Sequence, residues 1–305
     1  MRIRALEPVL LAVAACFLTL ETAVAQDAAG VEKLTGTLKK IRTTKAVTIG
    51  YRDASVPFSY LNAARQPIGY SIDLCLDIVE DIRAELGDDT IQVKYALVDT
   101  QTRIPMVVDG TVDLECGTTT NTPERQRQVA FSPVTFVSGT KLLVKRSAKL
   151  KSYRDLKGRT VAVTPASTNE SAIKSLNVKE GLSVNILVVP GNAQAYEAVN
   201  AGKAEAWAGD DAVLFATVAE SSNPRDFSVL DEYLSYDPYG LMYRKNDPAF
   251  DALIKHSFER LAETRELARI YEQWFVRKLP SGRTLGISMS PQLASIFQAL
   301  GQPTE

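Results

Sequence analysis

The alternation of strand and helix patterns constrains this chain more than any other feature. Apolar or β-branched runs at residues 46–50, 91–97 and 159–165 are typical of strands, and residues 71–86 show apolar positions at helical spacing. Pro57 and the turn-forming residues 62–67 indicate a loop between the first strand and this helix. Residues 184–220 repeat the order strand, helix, strand, helix. Such alternation predicts sheets of the α/β class with parallel strands, whose ligands bind beyond the carboxyl ends of the strands.

Length and composition limit the function classes. A chain of 305 residues with 45% hydrophobic content predicts about two domains with packed cores. The formal net charge is −1, and this lack of a basic excess argues against a nucleic-acid partner. The single histidine, His256, and the cysteine spacing argue against a metal site, and no cofactor is expected.

The amino terminus has the pattern of an export signal. Within residues 1–25, two arginines precede an apolar run at 9–20, and Ala-Val-Ala at 23–25 fits a cleavage site. We therefore expect a periplasmic protein. Cys16 ends a run similar to a lipoprotein cleavage box, which leaves lipid anchoring as a minor alternative, although residues 17–20 stay apolar where a lipoprotein turns polar.

Two cysteines, Cys75 and Cys116, remain once the signal is removed. Export to an oxidising compartment permits them to pair. They fit equally well as two small buried apolar side chains. The sequence leaves both readings open.

Residues 113–132 gather hydroxyls and a guanidinium at a strand-to-helix corner. A strand end is followed by three threonines at 118–120, and we expect a helix to open at Pro123 with Arg125 in its first turn. Threonine hydroxyls and an arginine can together hold a carboxylate. A capped helix after an ordinary strand explains the same residues without a ligand.

This corner resembles the α-carboxylate site of the polar amino-acid binding proteins of ATP-binding cassette (ABC) importers. The matching residues are Gly117, Thr118, Thr120, Arg125 and then Phe131-Ser132. The resemblance implies an α/β, two-lobed periplasmic-binding-protein fold of type II with two hinge crossovers. It also implies a monomer that delivers its ligand to an inner-membrane ABC permease.

The lobe boundaries follow from the two expected crossovers. Residues 26–139 plus 238–305 would form lobe 1, and residues 140–237 would form lobe 2. A helical run is expected at 248–279, with His256 on its surface. The tail after residue 280 is expected to pack as a short helix against lobe 1.

Two further arginines predict an acidic ligand. Arg52 follows the first strand, and Thr100 and Arg103 open a helix in a run similar to that of glutamate/aspartate-binding proteins. In the acidic subgroup of the family, an arginine at the place of Arg52 contacts the ligand's side-chain carboxylate. With Arg125, the three guanidinium groups carry more positive charge than a neutral ligand balances. Alternatively, Arg52 and Arg103 are solvent-exposed surface residues that do not contact the ligand.

The expected second lobe offers an opposing set of polar groups. Thr164 and Ser167, with Thr168 beside them, precede a helix whose N–H groups favour anions, although Ser167 also fits as its cap. The resemblance implies that Asp210 receives the ligand's α-ammonium. Asn192 falls where some acidic-amino-acid binders have a polar contact, often histidine.

These features predict a binding protein for glutamate or aspartate with no enzymatic activity. The alternatives are a binder of another polar amino acid and a dehydratase-type enzyme on the same scaffold. An enzyme would require a general acid, for which Glu170 or Asp210 is the candidate. The sequence contains no Ser-His-Asp grouping, phosphate loop or metal spacing that would favour catalysis.

Overall fold

The computed structural model describes residues 34–303, so the predicted signal segment and Cys16 lie outside the described residues. The α-helices of this part of the chain are α1 (Gly36–Thr44), α2 (Tyr70–Leu86), α3 (Arg103–Val108), α4 (Thr168–Glu180), α5 (Asn192–Asn200), α6 (Asp211–Glu220), α7 (Pro248–Glu263), α8 (Glu266–Tyr271) and α9 (Pro291–Ala299).

The strands are mostly short. They are β1 (Ala46–Tyr51), β2 (Ala54–Ser55), β3 (Ser59–Leu61), β4 (Pro67–Ile68), β5 (Gln92–Leu97), β6 (Leu114–Glu115), β7 (Val129–Phe131), β8 (Phe136–Ser138), β9 (Thr140–Lys145), β10 (Thr160–Val163), β11 (Asn185–Val188), β12 (Ala206–Asp210), β13 (Phe227–Val229), β14 (Asp237–Tyr239) and β15 (Met242–Arg244).

Two five-stranded mixed sheets form the centres of two lobes. The sheet of lobe 1 has the order β5-β1-β6-β15-β7, and that of lobe 2 has the order β11-β10-β12-β9-β13. Strands β1, β5 and β6 are parallel, as are β10, β11 and β12, whereas β15 and β9 run antiparallel to their neighbours. The α/β two-lobed fold is confirmed, and the antiparallel strands are those nearest the crossovers.

The two crossovers pair with each other between the lobes. Strands β8 and β14 are antiparallel, with Ser138 opposite Asp237 and Phe136 opposite Tyr239. The ring of Phe136 lies 4.9 Å from the rings of both Phe58 and Phe275. Because packed aromatic rings bury a large apolar area, this cluster gives the hinge a rigid base.

Three local predictions were wrong. The helix expected at Pro123 is a single 3₁₀ turn, Arg125–Arg127, because the chain must enter β7 two residues later. The segment between β1 and α2, expected as a loop, contains the small antiparallel sheet β2-β3-β4. The helical run expected at 248–279 divides after α7, where Arg265 adopts a left-handed φ of 61°.

Cys75 and Cys116 form a disulfide, which decides between the two readings that the sequence left open. Their Cα atoms are 6.4 Å apart, and both residues are fully buried. The bond links α2 to the end of β6, immediately before Gly117. Among residues 34–303, no helix has the length and apolar character needed to cross a membrane. In the same range, no cluster of potential metal ligands occurs.

The tail contains the expected short helix, α9. Its Leu293 and Phe297 are buried, and Ser290 caps its first turn. The tail also reaches lobe 2, since Ser281 Oγ donates to Glu220 at 2.5 Å and Gln292 Nε2 to Tyr236 OH at 2.5 Å. His256 is exposed on α7, as predicted.

Candidate ligand-binding cleft

A polar cleft lies between the lobes, at the carboxyl ends of their parallel strands. Its lining residues are Arg52, Thr100, Arg103, Thr118, Thr120, Thr164, Ser167, Thr168, Asn169, Asn192, Asp210 and Val213. Ten of the eleven residues that the sequence offered, Thr168 included, are among them, and Arg125 is the eleventh. Strand ends converge at one edge of an α/β sheet, which explains how residues far apart in sequence meet here.

Arg52 and Arg103 are buried cations without a direct carboxylate partner. Their exposed fractions are 4% and 2%, and neither forms an ion pair within 4.0 Å in the described part of the chain. The Nε atom of each lacks a hydrogen-bond partner. Burial and then the charge of Arg125 lower the pKa of Arg103 to about 9. Arg103 therefore stays charged at neutral pH and favours an anion beside it.

Glu115, which the sequence reasoning missed, lies behind these arginines. Arg103 Nη1 donates to Thr119 Oγ1 at 2.7 Å, and Thr119 Oγ1 donates to Glu115 Oε2 at 2.6 Å. Glu115 is fully buried, and its Oε1 has no partner. A Cβ added at Gly117 would overlap Glu115 Oε1 and lie 3.1 Å from Arg52 Cγ. A side chain at position 117 would therefore require Glu115 and Arg52 to shift.

Arg125 lies apart from the cleft lining. Its Nη1 donates to Thr120 O at 2.9 Å, and its Nη2 donates across to Ala166 O of lobe 2 at 3.3 Å. Burial lowers the pKa of Arg125. The side chain lines the adjoining groove together with Ser167. Its guanidinium thus links the lobes beside the cleft.

Hydroxyls line the cleft between the two sets of charges. Thr118 and Thr100 are buried, and Thr100 Oγ1 has no partner. Thr120 Oγ1 donates to Asp237 Oδ1 at 3.2 Å and lies 3.4 Å from Thr168 Oγ1 of the opposite lobe. Thr168, which the sequence offered with Thr164 and Ser167, therefore lies directly across the cleft from Thr120.

Ser167 and Asn192 are engaged with the protein itself. Ser167 Oγ accepts from Glu170 N–H at 3.0 Å and donates to Thr164 O at 2.7 Å, which confirms the capping role. Asn192 Nδ2 donates across the cleft to Ser55 Oγ at 3.1 Å. Asn192 thereby joins the start of α5 to β2 of lobe 1.

Asp210 ends β12 with its carboxyl group in the cleft. It is 9% exposed, and its Oδ1 lacks a hydrogen-bond partner. Burial raises the pKa of Asp210 to about 7, with a further contribution from the negative charge of Asp237. The carboxylate would gain a partner from any cation bound beside it.

Asn169 and Val213 also line the cleft without having been singled out from the sequence. Asn169 is the second residue of α4, within the hydroxyl-rich loop from which threonine and serine were selected. Val213 lies in the first turn of α6. Both residues lie in the first turn of a helix that follows a strand, and this position was the only sequence feature that could have identified them.

Residues 47–277 match the family of bacterial extracellular solute-binding proteins, family 3. This span exceeds half of the chain. The chain belongs to this family. This family-3 protein is 41% identical to the L-glutamate/L-aspartate-binding protein of Pseudomonas aeruginosa over 276 residues, 90% of each chain. It is 33% identical to the glutamate/aspartate import solute-binding protein of Escherichia coli, over 86% of this chain and 87% of that one.

Solved structures of related proteins share the fold of this family-3 protein. An ancestral arginine-binding protein bound to arginine has a TM-score of 0.68 at 27% identity, covering 76% of this chain and 98% of that one. The ancestral amino-acid-binding protein AncCDT-1, a precursor of cyclohexadienyl dehydratase, has a TM-score of 0.65 at 26% identity, covering 79% and 99%.

Proposed function

We propose that this protein captures an acidic L-amino acid, glutamate or aspartate, in the periplasm and delivers it to the permease of an ABC importer. One observation carries the proposal: Arg52 and Arg103 are buried in the cleft without an ion pair from the described residues. Unpaired buried cations are costly, and a ligand carboxylate would remove that cost. The names of the P. aeruginosa and E. coli relatives support the same ligand class.

The residues suggest how such a ligand would lie. Arg52 and Arg103, with the free hydroxyl of Thr100, would hold the side-chain carboxylate. Thr118 and Thr120, with Arg125 at the lobe boundary, would hold the α-carboxylate. Asp210 would accept the α-ammonium. An uncharged side chain would leave the first pair of arginines unpaired, so specificity comes from the ligands that the cleft rejects.

We propose that the remaining predicted site residues help to hold the two lobes closed. Asn192 bonds to β2, Arg125 bonds to Ala166, and Thr164 and Ser167 shape the loop that faces lobe 1. A hinge motion at β8 and β14 would form or break these contacts together. We propose that a monomer with its lobes closed is the form presented to the permease.

Calorimetric titration of the mature protein with L-glutamate, L-aspartate and L-glutamine tests the ligand class. We expect micromolar or tighter binding of at least one acidic amino acid, and much weaker binding of glutamine. Chromatography of the recovered ligand should show it unchanged. Equal affinity for glutamine, or no binding of either acidic amino acid, would overturn the proposal.

One observation favours a dehydratase as the second candidate. Asp210 is buried with a pKa of about 7, a value that suits a general acid. Glu170 fits less well, because its carboxylate accepts from Ala166 N–H and pairs with Lys174 outside the cleft. Incubation with prephenate, followed by product analysis, separates the candidates. Turnover would establish the enzyme, and we expect none.

A further inference from the structure

The arginines around the cleft outnumber the carboxylates of the proposed ligand. An acidic amino acid brings two carboxylates, and Arg125 at the lobe boundary would take the α-carboxylate. The side-chain carboxylate, with one negative charge, would then meet two buried guanidinium groups, those of Arg52 and Arg103. We call this part of the cleft the side-chain end. One positive charge is left over there, and a buried charge without a counter-charge is costly.

Glu115 supplies a negative charge beside that end. It lies in the middle of the lobe 1 sheet, where β6 pairs it with Gly50 of β1 and with Met242 of β15. It is fully buried and forms no ion pair within 4.0 Å in the described part of the chain. Its Oε2 accepts from Thr119, and its Oε1 has no hydrogen-bond partner. A buried carboxylate with one hydrogen bond needs compensation from positive charges farther away.

Both arginines of the side-chain end are close neighbours of Glu115. Only the hydroxyl of Thr119 separates it from Arg103, at 2.6 Å from the carboxylate and 2.7 Å from the guanidinium. Glu115 Oε1 and Arg52 Cγ both lie within 3.1 Å of the point that a Cβ of residue 117 would occupy. Gly117 leaves that space free. The carboxylate can therefore act on both guanidinium groups.

The other nearby charges do not replace Glu115. The charge of Arg52 acts on Asp99, but Asp99 is exposed, and solvent screens an exposed charge more than a buried one. Burial and the charge of Arg125 lower the pKa of Arg103, and Glu115 is the carboxylate that opposes them most strongly. Glu115 is therefore the buried counter-charge of the side-chain end.

We infer that Glu115 restricts the side-chain end to ligand groups that carry a single negative charge. This restriction rests on the proposed function, which places the ligand's side-chain carboxylate beside Arg52 and Arg103. Two guanidinium groups and one carboxylate leave a single net positive charge, which one ligand carboxylate neutralises. A phosphate monoester, with two negative charges, would leave one of them buried and uncompensated. Phosphorylated amino acids are thus rejected, although paired arginines are otherwise well suited to phosphate.

Two ligands that share a shape and differ by one charge test this restriction. O-phospho-L-serine and L-serine O-sulfate each carry a tetrahedral group at the place of the glutamate side-chain carboxylate. At pH 8 the phosphate carries two negative charges and the sulfate one, because the second pKa of a phosphate monoester is about 6. Competition against L-glutamate gives both dissociation constants. We expect the wild type to bind the sulfate ester at least about threefold more tightly.

Glu115→Gln removes the charge and keeps an oxygen that can accept from Thr119. The ratio of the two dissociation constants should shift about tenfold toward the phosphate ester, because a nearby buried negative charge is lost. Glu115→Asp keeps the charge and should keep the wild-type preference. Glu124→Gln, which removes an exposed carboxylate near Arg125, is the matched control and should leave the ratio within about threefold of the wild type.

The ratio separates charge from shape, since a purely structural defect weakens both esters alike. A shift of less than about threefold in Glu115→Gln would overturn the restriction. Equal or tighter binding of the phosphate ester by the wild type would do the same, and this measurement decides if the variant does not fold. If neither ester displaces L-glutamate, shape sets the selection and the restriction is wrong. Failure of the wild type to bind L-glutamate would instead overturn the proposed function.

Discussion

Arg103 is held by Thr119, whose hydroxyl accepts from Nη1 at 2.7 Å and passes its own hydrogen to Glu115. We predict that Thr119→Val weakens L-glutamate binding about tenfold to a hundredfold, because a buried guanidinium and a buried carboxylate each lose a partner. Thr119→Ser keeps the hydroxyl and should stay within about threefold of the wild type. Calorimetric titration of both variants with L-glutamate tests this. Equal L-glutamate affinities of the Thr119→Val and Thr119→Ser variants would contradict the prediction.

Arg103→Met should cost about 2 to 5 kcal/mol of binding free energy for glutamate, since it removes a buried charge that would pair with the ligand. The binding free energy of glutamine should fall far less. The difference in affinity between glutamate and glutamine should therefore become smaller. Arg42→Met, on the exposed face of α1, is the control and should change either affinity by less than about 0.5 kcal/mol. If Arg103→Met changes the binding free energy as little as Arg42→Met does, Arg103 does not contact the ligand.

Asn192→Ala should weaken ligand binding by about 0.5 to 1.5 kcal/mol, because it removes the hydrogen bond to Ser55 that joins the lobes. Most of the change should appear as faster dissociation in stopped-flow measurements. Ser55→Ala should have a similar effect. If the double variant costs the sum of the two single changes, the pair is not coupled and the interpretation fails.

The raised pKa of Asp210 predicts how the stability of the ligand-free protein depends on pH. A group with a pKa of about 7 in the folded state and 3.8 in the unfolded state stabilises the fold when protonated. The free energy of unfolding, measured relative to Asp210→Asn, should therefore fall as pH rises from about 4 to about 7, by at most about 4 kcal/mol. Urea unfolding across this range checks it. The carboxyl group of Asp77, with a pKa of about 6, titrates in both proteins and cancels.

Replacing Cys75 and Cys116 by serine should lower the free energy of unfolding by about 4 kcal/mol, the loop-entropy value for a cross-link that spans 41 residues. Addition of a reductant should lower the melting temperature of the wild type and leave that of the variant unchanged. Ligand preference should be the same in both. An unchanged melting temperature on full reduction would show that the bond contributes little.

Local sequence patterns predicted most of the elements, because buried strands such as β10 and amphipathic helices such as α2 have strong periodicity of their own. The errors arose where distant segments decide the local structure. The single turn at Arg125–Arg127 is short because β7 must pair with β15, more than a hundred residues later. The helix propensity of the residues around Pro123 gives no information about the pairing of β7 with β15.

The cleft was predictable to the extent that it is built from strand ends, and for this reason Arg52, Thr118 and Asp210 could be brought together in advance. Their contacts with a ligand stay predictions. Asp237 could not be found in this way, since its bond to Thr120 joins residues 117 positions apart. Glu115 was missed because a carboxylate at a strand end carries no local sign that it lies behind two arginines.

Gly117 limits how this cleft can be altered. Any side chain there would displace Glu115 and press on Arg52, so a change intended to reshape the pocket would disturb its charges instead. Attempts to retarget the protein to another nutrient, by directed evolution or in a biosensor, should therefore leave position 117 fixed.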